Sequence, residues 1–598
     1  MRSCLLCKTA DLWFYDSRKG GFRLNDFNTL KKAARKSDPG LPAYKLAVIG
    51  NCATQHIATA IKGEAFLRGL SIDVFDADYD QIDAQTMDGG SELYSFAPNA
   101  VLLVMCTEKL YEGFCSTPVE KRPSFADDTI ARIRMYWTLI SEKLQTSILQ
   151  FSFAYLNDGS MGNYALREPC SFSYQLSRLN FLLGQSAAEH KGVYLVDINA
   201  IQGRLGTSLF KDDKLYYVAK MPFSLEALPH LAEQTVNMIT ALRGSIKKCV
   251  IVDLDNTLWG GVIGDDGLDG IEIGELGTGH AFSEFQLYLK ELKRRGIILA
   301  VCSKNNEDTA KLPFEKHPEM VLRLDDFALF VANWQDKASN IRFIQQTLNI
   351  GMDSIVFLDD NPFERGVVRS LIPDITVPEL PDDPALYLSY IRSLDLFETA
   401  SFSSADADRT EQYRQEADRS ALVAKFTSYD EYLRALEMSA QAAPFDKFHY
   451  PRIAQLTQRS NQFNLRTVRY TESEIESVAN DDNHITRYYC LHDKYGDYGL
   501  ISVVIMDKRE DSSLFISEWL MSCRVLKRGM EEFIVNDIIR TASQCGCTKV
   551  IGEYIPSPKN AMVADLYERM GFEKCGGYYI ADVSTYKMHK TNITEESK

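Results

Sequence analysis

Cys249-Val-Ile-Val252 runs without a break into Asp253-Leu-Asp255-Asn-Thr257-Leu-Trp259-Gly-Gly261, and no other stretch limits the possible folds so tightly. Four apolar, mostly β-branched residues are too few for a helix and read as a buried strand of a parallel sheet. The strand stops on two carboxylates spaced by two, so both side chains leave the extended chain on one side. Reactive groups in open α/β sheets collect at the carboxyl ends of strands. Two acids held close there make a magnesium site, or a nucleophile beside a proton donor. For the pair taken alone, chance aspartates at a solvated strand end are the plain alternative.

Three later stretches repeat the theme. Ile297–Val301 is a second apolar strand, leading into Cys302-Ser303-Lys304-Asn305. Lys337 stands in Asn333-Trp-Gln-Asp-Lys337-Ala-Ser-Asn340, at the start of a helical pattern. Ser354-Ile-Val-Phe-Leu-Asp359-Asp360-Asn361 is a third strand, ending on paired acids. In this order the four stretches resemble the motifs of the haloacid dehalogenase (HAD) phosphohydrolases. The resemblance implies Asp253 as nucleophile and metal ligand, and Asp255 as proton donor with its backbone carbonyl on the metal. Asp359 and Asp360 then complete the oxygen shell that magnesium prefers. It further implies that Ser303 and Lys337 hold the phosphoryl oxygens, with Thr257, Asn305 and Asn361 as phosphate- or substrate-binding groups. Between this first motif and a helix near Phe282 lies only the glycine-rich stretch Gly260–Gly274, enough for a hairpin flap. Ser303 to Lys337 leaves no room for a cap domain, so an open, capless site is expected. Such a site suits a substrate carried on a macromolecule and admits small molecules too.

At 598 residues the chain is long enough for three or four domains. Its net charge of −16 argues against nucleic acid and anionic membranes as partners, since both need a basic surface. A local positive pocket can still bind a small phosphate. The 13 cysteines are odd in number and scattered, which fits a reducing, cytoplasmic setting. Cys4-Leu-Leu-Cys7 has the spacing of half a zinc site, with no second pair to complete it. The N-terminus does not read as a signal peptide, and no run reaches the roughly 18 apolar residues of a membrane span.

The chain divides into an N-terminal extension (1–43), an α/β domain (44–245), the HAD-like domain (246–398), a charged helical connector (399–440), a final domain (441–590) and a polar tail (591–598) expected to be disordered. In the α/β domain, strands at Lys45–Ile49, Ser71–Phe75, Ala100–Met105, Thr146–Phe151 and Val193–Asp197 alternate with helical segments, implying a parallel sheet. This domain resembles a degenerate SGNH-hydrolase of flavodoxin-like, three-layer type. Gly50-Asn51-Cys52 stands where that family has Gly-Asp-Ser, and Asp213-Lys-Leu-Tyr216 where it has Asp-x-x-His. With the general base unmatched, ordinary esterase activity is not expected. Cys52 occupies the nucleophile's position and is a candidate acyl acceptor; a small residue packed at a strand end is the plain reading.

The final domain reads as helices to about Gln462, strands at His484–Leu491, Gly499–Met506 and Ser513–Leu520, a helix from Gly529, a strand at Lys549–Tyr554 and a helix over Asn560–Met570. This order resembles the α+β fold of GNAT acyltransferases. Cys523-Arg524-Val-Leu-Lys527-Arg528-Gly529-Met530 falls on the pyrophosphate-binding turn, where backbone N–H groups at a helix start hold an anion. Lys527 replaces the first glycine there. Asn560 and Tyr567 match the later motif, in which a tyrosine protonates a leaving thiolate. The resemblance makes Arg524, Lys527, Arg528, Gly529, Asn560 and Tyr567 candidates for a coenzyme A or phosphopantetheine site.

The three domains together resemble the FkbH-like family, the Rossmann-like HAD domain carrying its most specific stretches at 253–264, 302–305 and 358–365. That resemblance implies a magnesium enzyme that dephosphorylates 1,3-bisphosphoglycerate and loads a glyceryl unit as a thioester on an acyl carrier protein. Cys302 adjoins Ser303 and is a second candidate acyl acceptor, although strand alternation turns it toward the core. The alternative is a capless phosphatase for another small phosphate or a phosphoprotein, its flanking domains serving binding.

Overall fold

A computed structural model of the chain describes residues 25–402, 413–414, 429–494 and 496–596, with a two-residue ladder at Tyr15–Asp16 and Gly21–Phe22. Cys4, Cys7 and most of the expected connector lie outside the described residues. The chain forms two compact units, Met1–Thr240 and Ala241–Lys598. No helix among the described residues is long and apolar enough to cross a membrane.

In the first unit, β1 (Ala43–Gly50), β2 (Ser71–Asp76), β3 (Ala100–Val104), β4 (Ser147–Phe151) and β5 (Val193–Val196) form one parallel sheet in the order β2-β1-β3-β4-β5. This is the flavodoxin-like order, with strand direction of travel reversing between β1 and β3. Every residue of β3 is buried, the near-continuous apolar run of a sheet covered on both faces. Gly50 closes β1 where a Cβ would stand 2.9 Å from the Val104 carbonyl oxygen and 2.7 Å from the Thr54 side chain. The turn into α1 (Gln55–Leu67) therefore admits no larger residue.

The second unit carries two lobes. In the first, β6 (Cys249–Val252), α2 (Gly277–Arg294), β7 (Ile298–Ser303), β8 (Leu329–Ala332), α3 (Lys337–Leu348), β9 (Ile355–Leu358) and α4 (Pro362–Leu371) build a parallel sheet ordered β8-β7-β6-β9. Val252 pairs with Val301 and with Leu358, so the residues that follow each strand emerge at one edge. Cys249, Ile251, Ala300, Cys302, Ile341 and Phe357 share one buried cluster beneath that edge. The expected hairpin flap is instead a loop closed by a single bridge, Gly260 to Glu272, around a helical turn at Ile263–Asp266.

The second lobe contains β10 (Ser439–Ala443), α5 (Tyr450–Arg459), α6 (Glu472–Ala479), β11 (His484–Asp493), β12 (Gly496–Lys508), β13 (Ser513–Met521), α7 (Met530–Gln544), β14 (Lys549–Glu553), β15 (Glu573–Cys575), β16 (Tyr578–Asp582) and β17 (Thr594–Glu595). They form a mixed sheet ordered β15-β16-β14-β13-β12-β11-β10-β17. Sequence reading takes the region of β10 as helical. The alanine-rich segment pairs antiparallel with β11 instead, because edge hydrogen bonding outweighs a weak local propensity. The tail expected to be disordered adds β17 beside β10, and Ile593 is buried. The expected helix over Asn560–Met570 is broken into a 3₁₀ turn, Ala561–Val563, and a short helix, Leu566–Arg569.

Candidate active site

Asp253 and Asp359 continue two paired strands, β6 and β9, and Lys337 opens α3. Lys337 Nζ donates to Asp253 Oδ2 at 2.7 Å and to Asp359 Oδ2 at 2.5 Å. These groups are 3%, 8% and 0% exposed respectively, so the lysine sits between two carboxylates out of water. Asp360 adds a third acid: Asp253, Asp359 and Asp360 each offer an oxygen within 4.8 Å of the others. Asp253 Oδ1 is buried and has no hydrogen-bond partner. A buried carboxylate oxygen is costly when nothing pairs with it. Three converging carboxylates around such an oxygen match the all-oxygen shell of a hard divalent cation, so the residues fit magnesium.

Burial opposes charge here, and the neighbours decide the outcome. Burial disfavours the Lys337 ammonium, but Asp253 and Asp359 outweigh it and hold the lysine well above its ordinary range. Burial and the facing charge of Asp253 push Asp359 up to about 6 against the pull of Lys337. Burial also raises Asp360, against the Thr257 hydroxyl, and raises Asp255, against donors that favour its anion.

Asp255 lies apart from the acidic cluster. Its Oδ1 accepts from Trp259 Nε1 and from the Ile263 N–H, both at 3.0 Å, and its Oδ2 from Asn305 Nδ2 at 2.9 Å. Asn305, expected at the phosphate, therefore orients the proton-donor candidate. Thr257 is fully buried and exchanges hydrogen bonds with Asp360, through its carboxylate at 3.2 Å and its N–H at 3.1 Å. It positions an acid of the cluster. Asn361 caps α4 by accepting from the Phe363 N–H, while its own N–H donates to Asp359 Oδ1 at 2.8 Å. Ser303 ends β7 and is 2% exposed. Cys302, its neighbour, faces the opposite way into the apolar cluster, and burial drives its thiol far up. A sealed, protonated thiol is a poor acyl acceptor.

Arg365 escapes sequence reasoning, although it stands in the third acidic motif. It is 4% exposed, and its Nη1 donates to the carbonyls of Asp359 at 2.7 Å and Asp360 at 2.6 Å. One turn into α4, it reaches back and fixes the loop that aims both acids. The cue was there: Pro362 starts a helix, so Arg365 lies on the face turned to the preceding loop. Tyr387 is a second such group, donating from its hydroxyl to the Asn256 carbonyl at 3.1 Å.

A family model described as the FkbH N-terminal domain matches residues 45–240. The N-terminal part of protein BF1531 from Bacteroides fragilis, which contains a phosphatase domain and was crystallised with magnesium, is 46% identical. That similarity covers 63% of this chain and 100% of that one, at a TM-score of 0.61. This chain belongs to the FkbH-like family. Lower-scoring similarities cover about a quarter of the FkbH-like chain. The ribosomal-protein-S18-alanine N-acetyltransferase of Escherichia coli is 14% identical over 24% of this chain and 90% of that one, at a TM-score of 0.19. Spermidine N-acetyltransferase of Vibrio cholerae, in complex with coenzyme A and spermine, is 13% identical over 25% and 98%, at 0.21. No curated protein matches. The FkbH-like chain is thus a multidomain α/β enzyme whose middle domain is of the HAD phosphatase type.

In the last lobe of this FkbH-like enzyme, β13 and β14 pair only over Ser513–Phe515 and Lys549–Ile551, then diverge. The gap is filled by the chain itself. Leu465 N–H donates to the Trp519 carbonyl at 3.1 Å, Met521 N–H to Phe463 at 3.0 Å, and Ile555 N–H to Leu465 at 2.9 Å. Asn560 is fully buried and holds this segment, its Nδ2 donating to the Asn464 carbonyl at 2.8 Å. Tyr567 is 1% exposed; burial pushes its hydroxyl far up, and its ring packs where a Gly552 Cβ would stand. Both expected thioester residues therefore belong to the core. Arg524 and Arg528 are buried too: Arg524 Nη2 donates to the Tyr498 carbonyl at 3.3 Å, and Arg528 faces Asp493 at 3.7 Å. Lys527 adopts a left-handed φ of 64° and points to solvent, and Gly529 starts α7 at φ 84°. In the first unit, Cys52 is 2% exposed, and the neighbouring Cys106 thiol together with burial pushes it well up. Asn51 Oδ1 accepts from the Cys106 N–H at 2.9 Å, and Tyr216 donates to Glu112 at 3.1 Å. Cys52 is a packed residue at the strand end.

Proposed function

We propose that this FkbH-like enzyme is a magnesium-dependent phosphatase and glyceryltransferase, taking 1,3-bisphosphoglycerate and loading a glyceryl thioester on an acyl carrier protein. The observation that carries the phosphatase part is the buried, unpartnered Oδ1 of Asp253 among three acids and a lysine. The magnesium in the B. fragilis relative supports the choice of metal, and family membership supports the glyceryl unit and its carrier.

The side chains divide the work. Bound by Asp253, Asp359 and Asp360, magnesium supplies positive charge that offsets repulsion between a carboxylate and a phosphate dianion. Asp253 attacks phosphorus through the carboxylate oxygen that the metal would leave free. Lys337 donates to Asp253 Oδ2 and neutralises charge at a site from which water is excluded. Asp255 gives a proton to the departing oxygen and then takes one from water, in keeping with its raised pKa. In the transfer step a thiol sulfur bonds to the carbonyl carbon of the acyl phosphate. The carbon–oxygen bond to phosphate breaks, and phosphate leaves with the thiol proton. Because Cys302 and Cys52 are sealed, we assign that thiol to the carrier's phosphopantetheine arm.

Incubating the full chain with magnesium, 1,3-bisphosphoglycerate and phosphopantetheinylated carrier, then weighing the carrier, tests the reading. A glyceryl mass gain is expected. No gain, with efficient cleavage of generic phosphate esters, leaves a phosphatase for other small phosphates or phosphoproteins.

A further inference from the structure

Trp334 stands in the loop between β8 and α3, just before Lys337, and is 72% exposed. A single apolar side chain in water is ordinary, so exposure alone says nothing. The place where this one is fastened says more. Trp334 Nε1 donates to Asn306 Oδ1 at 3.1 Å, and the preceding residue, Asn305, donates through Nδ2 to Asp255 Oδ2 at 2.9 Å. The indole is thus tied to the loop that orients the proton donor, while its own loop leads into the lysine of the acidic cluster. Asp255 Oδ1 accepts from the Ile263 N–H at 3.0 Å, and Val262, immediately before it, is exposed as well.

Asp255 marks the side on which the leaving group departs, because its proton goes to the departing oxygen. Whatever lies beyond that oxygen meets the surroundings of Asp255, and there the chain offers an indole and a valine. Indole has one hydrogen-bonding group, a donor, and Asn306 takes it. What remains is an apolar face with a negative π-cloud, which repels the carboxylate of free phosphoglycerate. Such a face suits an uncharged chain of methylenes and amides. The pantetheine arm of a carrier is a chain of that kind.

We propose that Trp334 holds the pantetheine arm of a phosphoglyceryl thioester, so that thioester formation precedes phosphate removal at this site. It rests on the glyceryl-transfer reading and adds the order of the steps. The carrier's sulfur first bonds to the carbonyl carbon of 1,3-bisphosphoglycerate, and the acyl phosphate group leaves as phosphate with the thiol proton. The thioester keeps its terminal phosphate. The Asp253 carboxylate then bonds to that phosphorus, the bond from phosphorus to the terminal oxygen breaks, and Asp255 gives this oxygen a proton. Water next bonds to phosphorus, returns a proton to Asp255 and frees Asp253 and inorganic phosphate.

Phosphate release from 3-phosphoglyceryl-pantetheine thioester and from free 3-phosphoglycerate, by the full chain with magnesium, tests the assignment. The unmodified enzyme is expected to prefer the thioester in kcat/KM by about tenfold or more. Trp334→Ala is expected to cut that preference about tenfold through a higher KM for the thioester, the mark of lost binding. Trp334→Phe, which keeps an aromatic face, recovers most of it. A tryptophan that only orders the Asn305 loop would instead lower kcat on both substrates alike, and that result overturns the proposal. An unchanged KM for the thioester in Trp334→Ala also overturns it, as does equal or faster cleavage of the free acid by the unmodified enzyme. Cleavage of glycerol 3-phosphate with neither glyceryl substrate turned over defeats the glyceryl-transfer reading, and the proposal with it.

Discussion

Lys337 is the residue on which the acidic cluster balances. It is 3% exposed and bonded to two carboxylates, so its charge offsets most of theirs without water. Replacing it with methionine leaves two buried acids facing each other, and breaking a buried pair from one side costs about 3–5 kcal/mol. Lys337→Met is therefore expected to unfold at lower urea in EDTA and to recover part of that loss with magnesium, which takes over the neutralisation. Equal destabilisation with and without magnesium, read from urea midpoints, contradicts a metal site at these acids. Asp253→Asn tests a different point. The amide keeps the shape but cannot attack phosphorus, so phosphate release is expected to vanish while the unfolding midpoint moves little. The placement of Asp253 and Lys337 was legible in the sequence because strand ends and helix starts are local features. For Arg365 the sequence shows only the helix face, since its partners are backbone carbonyls that any residue type would supply.

β13 shows what an element can conceal. All nine of its residues are buried, yet Glu518 stands in the middle with 0% exposure. Burial pushes its carboxyl up to about 7, against the Val468 N–H and the charges of Arg469 and Arg466. The folded state thus holds a proton that the unfolded chain releases near its ordinary value of 4.5. Between these values the folded form binds more protons, so stability falls as pH rises from about 4.5 to 7. The expected loss is about 3 kcal/mol, at about 1.4 per pKa unit. Glu518→Gln removes this slope. It also removes one of two acceptors, for Val468 N–H at 3.0 Å and Trp519 N–H at 3.1 Å, a cost that does not vary with pH. The slope of stability against pH between 5 and 7, not its level, decides; parallel slopes in the two proteins refute the assignment. The strand itself was readable from its apolar run. The filling of the gap beside it by Phe463–Leu465 was not, because three backbone hydrogen bonds to distant strands leave no periodic trace in a short segment.

At the scale of the whole molecule, the second unit joins two lobes whose apolar clusters are separate. One runs from Cys249 to Val368 and onward to Tyr413, and the others gather residues of the 432–593 region. What crosses between the lobes includes polar contacts: Lys248 Nζ to the Arg459 carbonyl at 3.1 Å, Asn461 Nδ2 to the Gly244 carbonyl at 3.1 Å, and the Lys559–Asp353 pair. Exchange of such bonds with water leaves a small net term, about 1 kcal/mol each, whereas each lobe's core is retained when the lobes part. Unfolding is therefore not expected to follow one two-state transition. A ligand that binds only the folded first lobe raises the transition of that lobe alone, by about 2.7 kcal/mol at a hundred times its dissociation constant. Magnesium titrated during calorimetry should shift one transition and leave the other in place, and Asp359→Asn should abolish the shift. A chain ending at residue 398 should retain the magnesium-sensitive transition. If magnesium moves both transitions together in the full chain, the lobes are one cooperative unit and the polar seam is stronger than its bonds indicate.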